Sequence, residues 1–351
     1  MAVDFFDDRL LEDETALAGV DDLLRHLAEA GSRVRHEVNA ATEAMAALAN
    51  TQRPRAVVAA GSDARLLRAV LEPWCPVPFV AWPGPGLPGW AGALDLVVVI
   101  APGGHSPDAA SAAAEAVRRG CNLLVSTPAQ SPLAESSASR STVLLPTQTT
   151  DVLAVAVVAL QALHTLGLGP EVDAEEVAEK LVESAVACAP LRNLGSNPAK
   201  DLAVELAEAV PLVWGGSVLA ARAGRRVAEA MRQASGRTAL AADADHLIPV
   251  IRGAGVNRSN DIFADPFEDG PAEQRPVLIV LDDGSEDTTV RMTRGRLLAE
   301  AEQNGVRHRV LSCHDGGPVS RYASLLSTGQ YAAVYLGLGL GRTALPAGES
   351  S

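Results

Sequence analysis

The stretch "DLVVVIAPGGHSPDAASAAAEAVRRGCNLLVSTPAQSPLAE", residues 95–135, decides the fold. An apolar run from Asp95 to Ile100 leads into the glycine pair Gly103-Gly104. Ser106, Pro107 and Asp108 follow, with the grammar of a helix start: an N-cap, an N1 proline and an acidic first turn. After the alanine-rich helix comes a second apolar run, "NLLVS" at 122–126. Runs that are apolar at both alternating positions describe strands buried on both faces, hence a parallel sheet covered by helices.

Outward from this unit the pattern repeats. Before it stand "AVVAA" (56–60) and "VPFVA" (77–81), and after it "TVLLP" (142–146). Residues 8–50 read as helices with apolar spacing. The stretch 168–209 is helical and charged, and "LRNLGSNP" interrupts it before Pro198 opens a new helix. A second series follows: "VPLVWGG" (210–216), "RTALAA" (237–242), "PVLIVLDD" (276–283) and "VRHRVLS" (306–312). The expectation is an α/β protein of two doubly wound domains, each a mainly parallel sheet flanked by helices. Its parts are amino-terminal helices over 1–50, a first domain over 51–170, a helical linker over 171–205 and a second domain over 206–351.

Composition narrows the function. A length of 351 residues suits two domains, and the net charge of −14 lacks the basic footprint of a nucleic-acid partner. The acidic start "MAVDFFDDRLLEDE" has neither the basic region nor the apolar core of a signal peptide. The most apolar long segment, Val152 to Gly167, is too short for a membrane span and carries Gln161 and His164, so a buried helix is expected. Cys75, Cys121, Cys188 and Cys313 show no metal-ligand spacing and no disulfide framework. A reduced cytoplasmic protein, with no membrane attachment, metal or cofactor, is the expectation.

In an open parallel sheet, ligands sit beyond the carboxyl ends of the strands, near the point where strand order reverses. Two loops point there: Gly61-Ser62-Asp63 after the strand at 56–60, and Gly103-Gly104-His105-Ser106 after the strand at 95–100. A helix start has free backbone N–H groups and about half a positive charge, so phosphate binds there with few side chains. Two readings of the second loop stand side by side: a phosphate cradle, or a tight turn merely capped by Ser106. Asp108 in the first turn weighs against a dianion, and His105 reads as a phosphate neighbour or, the commoner case, as a solvated loop residue. The acidic segment with Asp261, Asp265, Glu268 and Asp269 lacks the spacing of a calcium loop and reads as a solvated turn, with Phe263 and Phe267 as its anchors.

Three segments, "RRGCNLLVSTPAQSPLAE", "NPAKDLAVELAEAVPLVWGG" and "SRYASLLSTGQYAAVYLGL", resemble the sugar isomerase (SIS) domain family. More narrowly, they resemble the bifunctional phosphoglucose/phosphomannose isomerases, which carry two SIS domains. The resemblance implies a sugar-phosphate ligand and a homodimer. It places phosphate binding on Gly61, Ser62, Gly103, Gly104 and Ser106, but two hydroxyl donors of the family loop are here Ala101 and Gly103.

The family's catalytic histidine falls on His246. Its glutamate falls near Gln233 to Gly236, where no carboxylate stands. Its arginine falls near Thr149, Thr150 and Asp151, and its lysine follows the last helix, where Arg342 is the nearby cation. The resemblance therefore implies a sugar-phosphate-binding protein with weak or no isomerase turnover. The alternative is an active aldose–ketose isomerase for glucose 6-phosphate and mannose 6-phosphate, using His246.

Overall fold

The computed structural model of the protein describes residues 5–48, 53–62, 64–256 and 275–342. Asp63, the acidic segment carrying Asp261, Asp265, Glu268 and Asp269, and its neighbours Phe263 and Phe267 lie outside the described residues. The chain divides into two units, one formed by residues 29–179 and the other by the residues up to 28 together with those from 180 on. The amino-terminal helices split accordingly. The short helices α1 (Glu14–Ala18) and α2 (Asp21–Ala28) go with the second unit, and α3 (Ala30–Ala47) goes with the first.

In the first unit five strands lie parallel: β1 (Val57–Gly61), β2 (Phe79–Ala81), β3 (Leu96–Ile100), β4 (Asn122–Thr127) and β5 (Thr142–Pro146). Their spatial order is β2-β1-β3-β4-β5, so the order reverses between β1 and β3. The helices are α4 (Ala64–Leu71), α5 (Pro107–Arg119), α6 (Pro132–Ser136), α7 (Val152–Thr165) and the start of α8 (Ala174–Ala187). Every residue of β3 is buried, as a strand with helices on both faces requires.

The alanines of α5 at 109, 112, 113 and 116 pack on Val58, Val97, Val99, Leu123 and Val125. Small side chains let this helix lie close to the sheet, which is how a core with so few aromatic residues closes. The apolar segment at 152–165 is α7, buried along most of its length. Among the described residues no helix is long and apolar enough to cross a membrane.

The second unit contains α9 (Pro198–Glu205), β6 (Ala209–Gly215), α10 (Val218–Ser235), β7 (Leu240–Ala241) and α11 (Ala244–Val256). It continues through β8 (Arg275–Asp282), α12 (Thr288–Gln303), β9 (Arg307–Ser312) and α13 (Pro318–Gly339). Its four strands are parallel in the order β7-β6-β8-β9, the order of the first sheet without the last strand. Here the reversal falls between β6 and β8.

One face of this sheet packs Leu212, Trp214, Leu278 and Val280 against Leu247 and Ile251 of α11 and Leu297 of α12. Helix α13 packs against α9 and α10. A Cβ at Gly329 would come within 2.3 Å of Val227 Cγ2, so the close approach of α13 to α10 needs a glycine there.

The Asn-Pro-Ala-Lys run is structural. Asn197 caps α9 by accepting from the Ala199 and Lys200 amides, and its Nδ2 donates to the Ala189 carbonyl. Lys200, 1% exposed, donates to the carbonyls of Pro190 at 2.6 Å and Arg192 at 3.0 Å, with its ammonium 5.5 Å from the Tyr335 ring centroid. Burial lowers the pKa of Lys200, against a pull upward from Glu12. Beside it Tyr335 donates its hydroxyl to the Cys188 carbonyl at 2.7 Å. The Cys188 thiol is pushed up to about 12, mainly by burial.

Candidate functional site

The first sheet brings both expected phosphate loops to its crossover. Gly61 pairs with Ile100 across β1 and β3, so Gly61-Ser62 and the 101–106 loop leave the same edge side by side. The two glycine positions are fixed by backbone geometry. Gly61 has φ +86°, and a Cβ there would lie 2.3 Å from the Ile100 oxygen. Gly104 has φ +72°, and a Cβ there would lie 2.9 Å from Ser131 Cβ. Gly103 has open space around it.

The donors at this edge are partly used. The Ser62 amide donates to the Ile100 carbonyl at 2.8 Å, and the Gly104 amide to the Ala101 carbonyl at 2.9 Å. Ser106 caps α5, its Oγ accepting from the Ala109 amide at 3.3 Å. A hydroxyl that accepts still has its own proton to donate, so Ser106 can do both. Ser62 is half-buried, and its hydroxyl has no partner among the described residues.

The loop after β5 meets two charges from α3 that no local pattern in the sequence signals. Buried Glu37 of α3 accepts from the Gln148 amide at 3.0 Å and the Thr149 amide at 2.6 Å. Asp151 caps α7 and pairs with Arg33 of α3 at 2.8 Å. A cation does reach the segment where the resemblance expects an arginine, but it comes from a helix more than a hundred residues earlier. Sequence distance hid it.

In the second unit His246 lies in the first turn of α11, exposed, with its amide donating to the Asp243 carbonyl at 3.0 Å. The position expected for the glutamate is the end of α10. There Gly236 takes the left-handed cap conformation at φ +61°, and the Ser235 hydroxyl donates to the Met231 carbonyl. The guanidinium of Arg342 lies against Gly236, with its nitrogen 2.2 Å from where a Cβ would stand. Two expected catalytic positions thus meet, with a cation and no carboxylate of their own.

The crossover of the second sheet is the richer in charge. The Ser217 hydroxyl donates to the Asp283 carboxylate and accepts from the Ala220 amide at 3.0 Å. Asp282 pairs with Arg294 and lies 3.2 Å from His314 Nε2. Beside β6, at the ends of α10, α11 and α12, opens a cavity of about 420 Å³. Its lining includes Arg225, Asp243, Thr293 and the Trp214 ring, and the Arg296–Asp245 ion pair at 2.5 Å. The sequence signals were "WGGS" after β6 and "LDDG" after β8, both strand-glycine joints at a sheet crossover. Among the described residues no group of three or more His, Cys, Asp or Glu is arranged to hold a metal ion.

Residues 195–347 match the family described as bacterial phospho-glucose isomerase C-terminal SIS domain. No curated protein matches the chain by sequence. Among solved structures, tagatose-6-phosphate ketose/aldose isomerase from Escherichia coli superposes with a TM-score of 0.63 at 13% identity, over 93% of this chain and 94% of that one. The C-terminal domain of glucosamine-fructose-6-phosphate aminotransferase from Francisella tularensis gives 0.62 at 12% identity, over 91% and 96%. A glucose-6-phosphate isomerase like protein from Thermus thermophilus gives 0.52 at 15% identity, over 93% and 92%. These likenesses carry the fold: two SIS-type domains in one chain.

Proposed function

We propose that this double SIS-domain chain binds a sugar phosphate at the β1–β3 crossover and isomerises it weakly or not at all. One observation supports weak turnover above the others. Where the resemblance expects a proton-transferring glutamate, the chain has the helix cap Gly236 with Arg342 lying against it. Aldose–ketose isomerisation needs a base to carry a proton between C1 and C2, and a positioned base contributes about 10²–10⁴-fold. A guanidinium stays charged and cannot take that place. Binding asks for less: the Ser62 and Ser106 hydroxyls and the start of α5 supply donors to a phosphate.

The reading extends to a cytoplasmic homodimer, because the resemblance puts His246 at a subunit interface. Sedimentation showing only monomer at micromolar concentration would count against that assembly. The ligand test is thermal shift with glucose 6-phosphate and mannose 6-phosphate, which should raise the melting temperature of the parent and not of the Ser62→Ala, Ser106→Ala double variant. An unchanged ligand shift in that variant moves the site elsewhere.

The second reading, an active isomerase, is favoured by exposed His246, whose side chain has no hydrogen-bond partner among the described residues. A linked-enzyme assay for hexose 6-phosphates formed from fructose 6-phosphate separates the two. Turnover near about 10 s⁻¹, the ordinary enzyme median, abolished by His246→Ala, would replace the binding reading with the enzymatic one.

A further inference from the structure

The cavity beside β6 belongs to neither the expected phosphate loops nor the expected catalytic positions. Its two arginines and two aspartates balance formally, but only one pair is made. Arg296 and Asp245 neutralise one another at 2.5 Å. That leaves Arg225, exposed on α10, and Asp243, exposed just before α11, and neither side chain has an ion pair or hydrogen bond among the described residues. The Thr293 hydroxyl on α12 is equally without a partner there. The Trp214 ring and Val290 supply apolar wall, and a Cβ at Gly216 would lie 2.3 Å from Val290 Cγ1 and 2.7 Å from the ring. A volume of about 420 Å³ lies within the range of small-molecule sites.

We infer that this cavity is a second binding site, in the carboxy-terminal domain, for a phosphorylated polyhydroxy compound, with Arg225 and Thr293 on the phosphate and Asp243 on the hydroxyls. The lining selects that class. A guanidinium and a hydroxyl donor lining the same cavity suit phosphate oxygens. An ionised carboxylate is acceptor-only, so Asp243 repels the phosphate and suits hydroxyl donors at the ligand's other end. A bare anion would satisfy half the site and a neutral sugar the other half. The start of α10 adds little, since Ser217 already caps it.

The inference rests on the sugar-phosphate reading of the chain, but its residues are distinct, so the two can fail separately. Equilibrium titration of the full chain with glucose 6-phosphate and, in parallel, inorganic phosphate is run on the parent, on Arg225→Gln with Thr293→Val, and on Ser62→Ala with Ser106→Ala. Two equivalents of glucose 6-phosphate should bind the parent, and each double variant should weaken a different one. Losing charged hydrogen bonds should weaken the Arg225–Thr293 site about tenfold to a hundredfold. Titration of the Arg225→Gln, Thr293→Val variant identical to the parent overturns the second site, and so does a parent that binds neither ligand.

A single equivalent lost only in the Arg225 variant upholds this site and removes the β1–β3 one. A single equivalent lost only in the Ser62 variant does the reverse. Asp243→Asn should weaken glucose 6-phosphate while leaving inorganic phosphate as tight or tighter. Equal weakening of both overturns the hydroxyl role. Circular dichroism matching the parent's confirms that each variant is folded, and all the substituted side chains in this cavity lie at its surface.

Discussion

At the crossover of the first sheet, β1 and β3 end in Gly61 and Ile100, and the loops beyond them spend amides on backbone, Ser62 on the Ile100 carbonyl across the sheet and Gly104 on the Ala101 carbonyl of its own loop. At the crossover of the second, β6 and β8 end in Gly215 and Asp282, and the loops beyond them carry a network of acids, arginines and a histidine. Strand order and direction are the same at both places. The difference teaches that the topology supplies a location and the side chains decide what is done there. The first crossover is built mainly from backbone and small side chains, with His105 in the loop and Asp108 in the first turn of α5. The second holds paired ionisable groups, and a cavity beside them.

Replacing the strand-end glycines is the severest test of that equivalence. Gly61→Ala forces a side chain into a left-handed conformation and against the Ile100 carbonyl, and Gly215→Ala drives a Cβ to 2.2 Å from the Ala220 backbone. Each should cost about 3 kcal/mol or more in chemical denaturation. A loss below about 1 kcal/mol at either position would show that the crossover relaxes freely and is no fixed frame. Next in size is Glu37→Ala, which strips the acceptor from the Gln148 and Thr149 amides in the first unit. A loss of about 2–3 kcal/mol is expected, and a near-neutral result would mean water replaces the carboxylate.

The second unit has its own signature at alkaline pH. Native Cys188 keeps its proton up to about 12, whereas the unfolded thiol releases it near its ordinary 9.0. The unfolded state therefore binds fewer protons between those values. The stabilisation is whole below pH 9 and falls by about 1.4 kcal/mol per pH unit above it. Cys188→Ala should flatten that limb in a series of melting temperatures, and a limb of unchanged slope would assign it to other groups. The smallest effect belongs to Gly103→Ala, where no atom lies within 4 Å and φ is not positive. Stability should move by less than about 0.5 kcal/mol, while a glucose 6-phosphate shift that disappears would mean the ligand needs that bare backbone.

Much of this is legible in the sequence. Strands such as "LVVVI" and "PVLIVLD" announce themselves because burial on both faces leaves no polar position. Helix starts were legible where side chains do the capping, as at Ser106 and Asn197. The charged parts of the candidate sites were not. Arg33 and Glu37 reach the 146–151 loop from α3, and Arg225, Asp243 and Thr293 converge from three segments onto one cavity. No local spacing encodes such meetings, since they depend on which helix covers which strand end. Asn-Pro-Ala-Lys was conspicuous for a different reason: it clamps a turn through a buried ammonium.

The order of synthesis bears on how this protein reaches its native state. Asp7 donates its amide to the Gly339 carbonyl at 2.8 Å, and Phe6 packs on the same glycine at the end of α13. The unit containing both ends of that contact cannot close until α13 has left the ribosome. The continuous 29–179 unit can complete its sheet far earlier. At about 5–20 residues per second, the first segments wait tens of seconds, roughly 15–65 s, for their partner. During that interval Phe6, Leu11 and Leu17 are apolar surface without a core, and a chaperone that holds amino-terminal segments has its longest opportunity on this chain there.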